Sequence, residues 1–186
     1  MSNIYIYAEQ FDNVVEPSAA ELVTLVREFS KKSGQKITLL AFGEDTSAIA
    51  SQLAFDDVSV TVVKTPVSAF QDDAISVVVA DALEKLKPDS VIIPASRTAR
   101  ALFSRVAVRL GVGLTADCSE LDVDEHGEFI QRKSAFGANA MCVCVEKGGP
   151  KLVTVLVGGI HESAPLSGTV PAVTELEGLE AASRVE

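Results

Sequence analysis

Val91-Ile92-Ile93-Pro94-Ala95-Ser96-Arg97-Thr98-Ala99-Arg100 passes from three apolar residues through a turn into a helical period. Leu102, Phe103, Val106, Ala107 and Leu110 continue that period, and Gly111 ends it. A short run apolar at every position is a strand buried on both faces, and an amphipathic segment behind it is its cover. Strands of this kind joined by helical crossovers predict a parallel sheet sandwiched between helices.

The same alternation extends upstream. Ile4 to Ala8 reads as a first strand, followed by a helix with Leu22, Val23, Val26 and Phe29 on its apolar face, ending near Ser33-Gly34. Ser18 and Glu21 stand at capping-box spacing at its start. Ile37 to Phe42 is a second strand, Thr46 to Leu53 a short helix, and Val58 to Val63 a third strand. Between Ser68 and Leu86 two signals compete. The β-branched Ile75, Val77, Val78 and Val79 favour a sheet, but Ala74, Ile75, Val78, Val79, Ala82, Leu83 and Leu86 repeat at helical intervals. Ser68 and Gln71 give a second capping box, Asp72 and Asp73 suit a first turn, and Lys85 a last one. The spacing predicts a helix.

Downstream of Gly113 the pattern changes. Leu121–Val123, Glu128–Lys133, Asn139–Val145 and Leu152–Val157 read as four short strands, linked by the turns Asp124-Glu125-His126-Gly127 and Lys147-Gly148-Gly149-Pro150. The expected fold is α/β: a three-layer sandwich with a mostly parallel sheet and an antiparallel extension at one edge. Residues 159–186 are rich in Gly, Pro, Ser, Thr and Glu without an apolar period, so they read as a linker or tail behind one domain, 1–158.

Composition narrows the function. Of 186 residues 47% are apolar, enough for a real core, and 16 basic against 26 acidic residues leave a net charge of −10. Such a surface repels nucleic acid and anionic lipid. Aromatics are 5% and Trp is absent, which removes stacking platforms for bases. No apolar run approaches the roughly 18–20 residues of a membrane span. The chain opens directly on a strand pattern without a basic leader, so the expected compartment is the cytoplasm. Cys118, Cys142 and Cys144 make no disulfide framework, and Cys142 and Cys144 have no second ligand pair for a metal; all three are expected to be buried structural thiols. Neither His126 nor His161 has the setting of an oriented general base. A hydrolase or metalloenzyme is unsupported.

Ligands of open parallel sheets lie at the carboxyl ends of the strands. The first such loop, Glu9-Gln10-Phe11-Asp12-Asn13, carries acids where a phosphate cradle needs glycines and donors, and no G-x-G-x-x-G or P-loop pattern occurs. The nucleotide site of this fold is expected to be disabled. After the fourth strand, Arg97 and Arg100 stand with Ser96 and Thr98 in the first turn of a helix, where the dipole disfavours cations by ~0.3–1 kcal/mol. Two readings fit: an anion or partner-carboxylate site formed with Ser96 and the free amides, or an internal ion pair with Asp117 or Glu120. Thr115-Ala116-Asp117-Cys118 belongs to the same rim or merely caps a turn. The small residues from Lys133 to Ala140 suit a bulge, a close approach or a plain turn.

Pro94-Ala95-Ser96-Arg97-Thr98-Ala99-Arg100, Arg105-Val106-Ala107-Val108-Arg109-Leu110 and Gly113-Leu114-Thr115-Ala116-Asp117-Cys118 together closely resemble the N-terminal domain of electron transfer flavoprotein alpha subunits. Phe136-Gly137-Ala138-Asn139 is similar to that family's Phe-Gly-Gly-Asn region, with Ala138 in place of the second glycine. The resemblance spans about Asn3 to Gly158 and implies an adenine nucleotide alpha hydrolase-like arrangement. It also implies an electron-carrier subunit rather than a stand-alone catalyst, one that pairs with a beta subunit to pass electrons between dehydrogenases, such as those acting on acyl-CoA, and an acceptor. FAD would belong to the intact heterodimer, held mainly by a C-terminal domain absent here, with none in this domain alone. Ser96, Arg97, Thr98, Arg100, Thr115, Asp117, Phe136, Gly137 and Asn139 become candidate partner or anion contacts. The rival expectation is a small adenine-nucleotide-binding or stress-protein-like domain of the same fold.

Overall fold

In a computed structural model, residues 3–66, 72–125, 129–135, 140–145, 148–167 and 173–176 are described. In chain order they form β1 (Asn3–Tyr7), β2 (Gln10–Phe11), β3 (Val14–Val15), α1 (Ser18–Ser33), β4 (Lys36–Gly43), α2 (Thr46–Ser51), β5 (Ser59–Lys64), α3 (Asp72–Leu86), β6 (Ser90–Pro94) and α4 (Arg97–Leu110). Then follow β7 (Leu114–Cys118), β8 (Glu120–Val123), β9 (Phe129–Ala135), β10 (Ala140–Cys144), β11 (Lys151–Val155) and β12 (Val173–Leu176).

Seven strands make one sheet in the order β12-β5-β4-β1-β6-β11-β7, parallel throughout. Strand period sorts the core into two layers. Ile4, Ile6, Leu39, Val60 and Val62 face Leu22, Val26 and Phe29 of α1 and Ile49 of α2. Tyr5, Tyr7, Leu40, Val91 and Ile93 face Val78, Val79 and Leu83 of α3 and Leu102, Phe103 and Val106 of α4. The three-layer sandwich is as expected, and Ser68–Leu86 is helical from Asp72 on; its Ser68–Gln71 capping box lies outside the described residues.

An antiparallel sheet, β10-β9-β8, leans on α1, with the Phe29 and Phe129 rings 4.9 Å apart. Lys32 of α1 and Arg132 of β9 both hydrogen-bond Asp122 of β8 at 2.9 Å. These bonds, with the Val123 amide, hold the Asp122 carboxyl well below the usual carboxylate range.

Five expectations need correction. Leu152–Val157 does not belong to the antiparallel extension: β11 sits inside the parallel sheet between β6 and β7, its residues Leu152 to Val155 buried on both faces. Leu114–Cys118 is itself the edge strand β7. The segment read as a linker contributes β12, which pairs with β5, so the sheet continues past Gly158. Cys142 and Cys144 are only half-buried, because β10 is the outer strand of its sheet, whereas Cys118 is buried.

The fifth correction concerns Glu21. Pro17, not Ser18, is the N-cap of α1, without a side-chain cap bond, and Ser18 Oγ has no hydrogen-bond partner among the described residues. The buried Glu21 carboxylate instead accepts from the backbone N–H groups of Gly158, Gly159 and His161 at 3.0–3.4 Å. Gly158 and Gly159 wrap around it at φ 110° and 85°, angles that favour glycine. From this turn the chain crosses the α1–α2 face as a strap. Ala164 N–H donates to Ala20 O and Ser167 N–H to Ala54 O before β12 reaches the far edge.

Candidate functional site

The chain fills the sheet outward from β1 through β4 to β5, then returns to place β6 on the other side of β1. That reversal opens a crevice at the carboxyl ends of β1 and β6, the usual ligand position of such sheets. Ala8-Glu9 leaves β1 there, and Ala95-Ser96 leaves β6.

Ser96 is the N-cap of α4: its backbone is extended, φ −70° and ψ 165°, and its Oγ accepts from the Ala99 amide at 3.0 Å. The same hydroxyl donates to Glu9 Oε1 at 2.8 Å. Glu9 is 2% exposed. Burial raises its pKa above the ordinary carboxylate value; bonds from Ser96 and the Ala99 amide pull the other way, and the nearby Glu16 charge adds to the rise. Burial and the Glu9 charge also raise the Tyr7 phenol.

Glu9-Gln10-Phe11-Asp12-Asn13 is not an open loop. Asp12 and Asn13, at φ 51° and 63°, form the two-residue turn of a hairpin between β2 and β3. Gln10 Nε2 donates to Phe42 O at 2.6 Å, and Gln52 Nε2 donates to Asn13 O at 2.7 Å. Gln52 Oε1 accepts from Val15 N–H at 3.0 Å, and Asn13 Oδ1 from Asp45 N–H at 3.2 Å. A Cβ at Gly43 would collide with the Ile49 side-chain tip of α2 and press on the Gln10 amide, so both pack closely against this glycine.

On the other side of the rim, Arg100 Nη2 lies 2.8 Å from Asp117 Oδ1, both side chains about half-exposed. This realises the ion-pair reading, with Asp117 rather than Glu120; Glu120 lies 3.7 Å from Arg132. Asp117 is left-handed, φ 60°, where the register of β11 with β7 shifts between Val153 and Val155, and its amide donates to the buried Thr154 hydroxyl at 2.9 Å. A bulge re-aims a side chain, here toward α4. Thr115 is buried one step below.

The structure therefore gathers Ser96, Arg100 and Asp117 at one rim. Arg97 is exposed there, with no hydrogen bond or ion pair among the described residues, and Thr98 is half-buried beside it. Phe136, Gly137 and Asn139 lie outside the described residues. Glu9 was legible only as an acid hostile to phosphate; its burial against α4 had no signal in spacing. No group of three or more His, Cys, Asp or Glu residues able to hold a metal occurs among the described residues, and none of the described helices is long and apolar enough to cross a membrane. A groove of about 480 Å³ lies apart from the rim, on the outer face of α3 and α4 between Asp73, Arg105, Val108 and Arg109.

A family profile described as "Electron transfer flavoprotein domain" matches residues 4–180. The chain is 30% identical over 169 residues to the electron transfer flavoprotein subunit alpha of Clostridium acetobutylicum, covering 88% of this chain and 50% of that protein. It is 31% identical over 155 residues to lactate dehydrogenase (NAD(+),ferredoxin) subunit LctC of Acetobacterium woodii, covering 82% and 37%. Protein FixB of Clostridium saccharobutylicum is 30% identical over 178 residues, covering 94% and 53%. The chain spans about half the length of these curated relatives, or less.

Proposed function

Because this chain belongs to the electron transfer flavoprotein family, we propose that it is the N-terminal scaffold domain of an alpha subunit. It pairs with a beta subunit in a cytoplasmic electron carrier that shuttles electrons between dehydrogenases and an acceptor, and it is not itself a catalyst. The supporting observation beside the family match is β10. It is the outer strand of the antiparallel sheet, and Met141 and Val143 on it are 51% and 57% exposed, with Val145 just beyond at 49%. These residues alternate along the chain and so share one face. An apolar row on an unpaired strand edge is an aggregation hazard in a lone domain and a natural docking strip in a complex.

The family carries FAD in its intact complexes, and the residues of this rim do not suit that group. A pyrophosphate needs glycine-rich backbone and free helix amides; here a buried carboxyl and a pinned hairpin lie in front of α4. No step is assigned to a flavin on this chain, and the flavin-holding elements of the heterodimer are placed outside it.

Calorimetric titration of the chain with its cognate beta subunit tests the reading. Val143→Lys, which buries a charge at the centre of the strip, is expected to weaken pairing at least about tenfold, the equivalent of ~1.4 kcal/mol. Arg97→Glu at the rim is expected to weaken it less. Undiminished affinity of Val143→Lys would remove β10 from the interface.

A further inference from the structure

Glu9, a residue 2% exposed, emerges from β1 at the reversal of strand order with its carboxyl hydrogen-bonded to the residue that caps α4. This crevice is where an open parallel sheet meets a phosphate, on the free amides of the following helix. The hairpin behind Glu9 is fastened down by Gln10, Asn13 and Gln52, and Glu9 O accepts from Glu16 N–H at 2.9 Å across its base. We propose that Glu9 is the built-in occupant of this domain's own anion position, its carboxyl standing where the fold would otherwise receive a phosphate, so that the crevice is closed to nucleotides from within.

The occupant meets the first turn of α4 through its cap: Ser96 Oγ donates to Glu9 Oε1 at 2.8 Å while accepting from the Ala99 amide at 3.0 Å. The proposal is independent of beta-subunit pairing, so either can fail alone.

The test follows the melting temperature of the purified chain in inorganic phosphate, in acetate and in sodium chloride of matched ionic strength, together with calorimetric titration by phosphate and by ATP. The wild type is expected to bind neither and to melt alike in all three salts. Glu9→Ala empties the position. It is expected to melt lower in chloride and to recover about 2–4 °C in acetate or phosphate, as a ligand bound only by the folded state must stabilise it. Glu9→Gln, which keeps the shape, is expected to stay closed. Phosphate or ATP binding by the wild type or by Glu9→Gln overturns the proposal, and so does a folded Glu9→Ala variant indifferent to both anions. If Glu9→Ala does not fold, the titrations of the other two proteins decide.

Discussion

At Asp117 two effects share one residue, a left-handed backbone at φ 60° and an ion pair with Arg100. Mutation separates them. A half-exposed pair is worth ~0.2–1 kcal/mol, whereas a side chain forced into left-handed backbone costs about 1–2 kcal/mol. Asp117→Asn, which tolerates that backbone, is expected to fall within ~1 kcal/mol of wild type in urea unfolding, and Asp117→Val to lose about 2 kcal/mol. Equal losses would mean that the charge, not the backbone, dominates. Two cations in a first turn made a need for compensation legible in the sequence, but not whether an external anion, Asp117 or Glu120 meets it; the turn at Asp117 decides that. The direction of Glu9 was not legible: an acid after a first strand signals hostility to phosphate, but only the packed hairpin decides whether it faces water or α4.

Among the elements, the strap depends on Glu21. Burial raises this carboxyl's pKa, but the N–H groups of Gly159, Gly158 and His161, with the His161 charge, outweigh burial and hold it below the ordinary value. A depressed folded-state pKa gives stability that is present above the unfolded pKa and is lost as pH falls through the folded one. Glu21→Gln is accordingly expected to cost about 1–3 kcal/mol at neutral pH by stranding buried donors. That difference should shrink as pH drops below about 4, with faster hydrogen exchange at residues 158–161. Unaltered exchange there would show that something else anchors the turn. The sequence hid this arrangement because Glu21 stands at capping-box distance from Ser18, and local spacing cannot reveal a partner more than a hundred residues away. β11 was misplaced for a related reason. Leu152 to Val155 has the all-apolar signature of an inner strand, but the Gly148-Gly149-Pro150 turn before it resembles hairpin chemistry. β7 was masked by Thr115 and Asp117, polar residues that suit a sheet edge, and β12 by its length of four residues.

For the molecule as a whole, the parallel sheet was legible from its alternation of buried strands and amphipathic helices, since that pattern reports burial on both faces directly. The exposed apolar row of Met141 and Val143 was not, because it depends on β10 being the outermost described strand of its sheet. Two consequences follow for the protein alone. Purified without a partner it is expected to be colourless, and it should self-associate with rising concentration, as sedimentation velocity would register; Val143→Lys should suppress that association. A yellow preparation with stoichiometric flavin would contradict the scaffold role.

Strand polarity carries one more implication. β12 runs in the same sense as β5 and is moored by Thr46 Oγ1 donating to Glu175 Oε1 at 2.8 Å. The polypeptide therefore departs from Leu176 toward the side of the sheet on which Glu9 and Ser96 lie, at the border opposite β7. A module spliced after this point would start at the carboxyl ends of the strands, on the edge formed by β12, and lengthening the strap would leave that starting end unchanged while β12 stays paired.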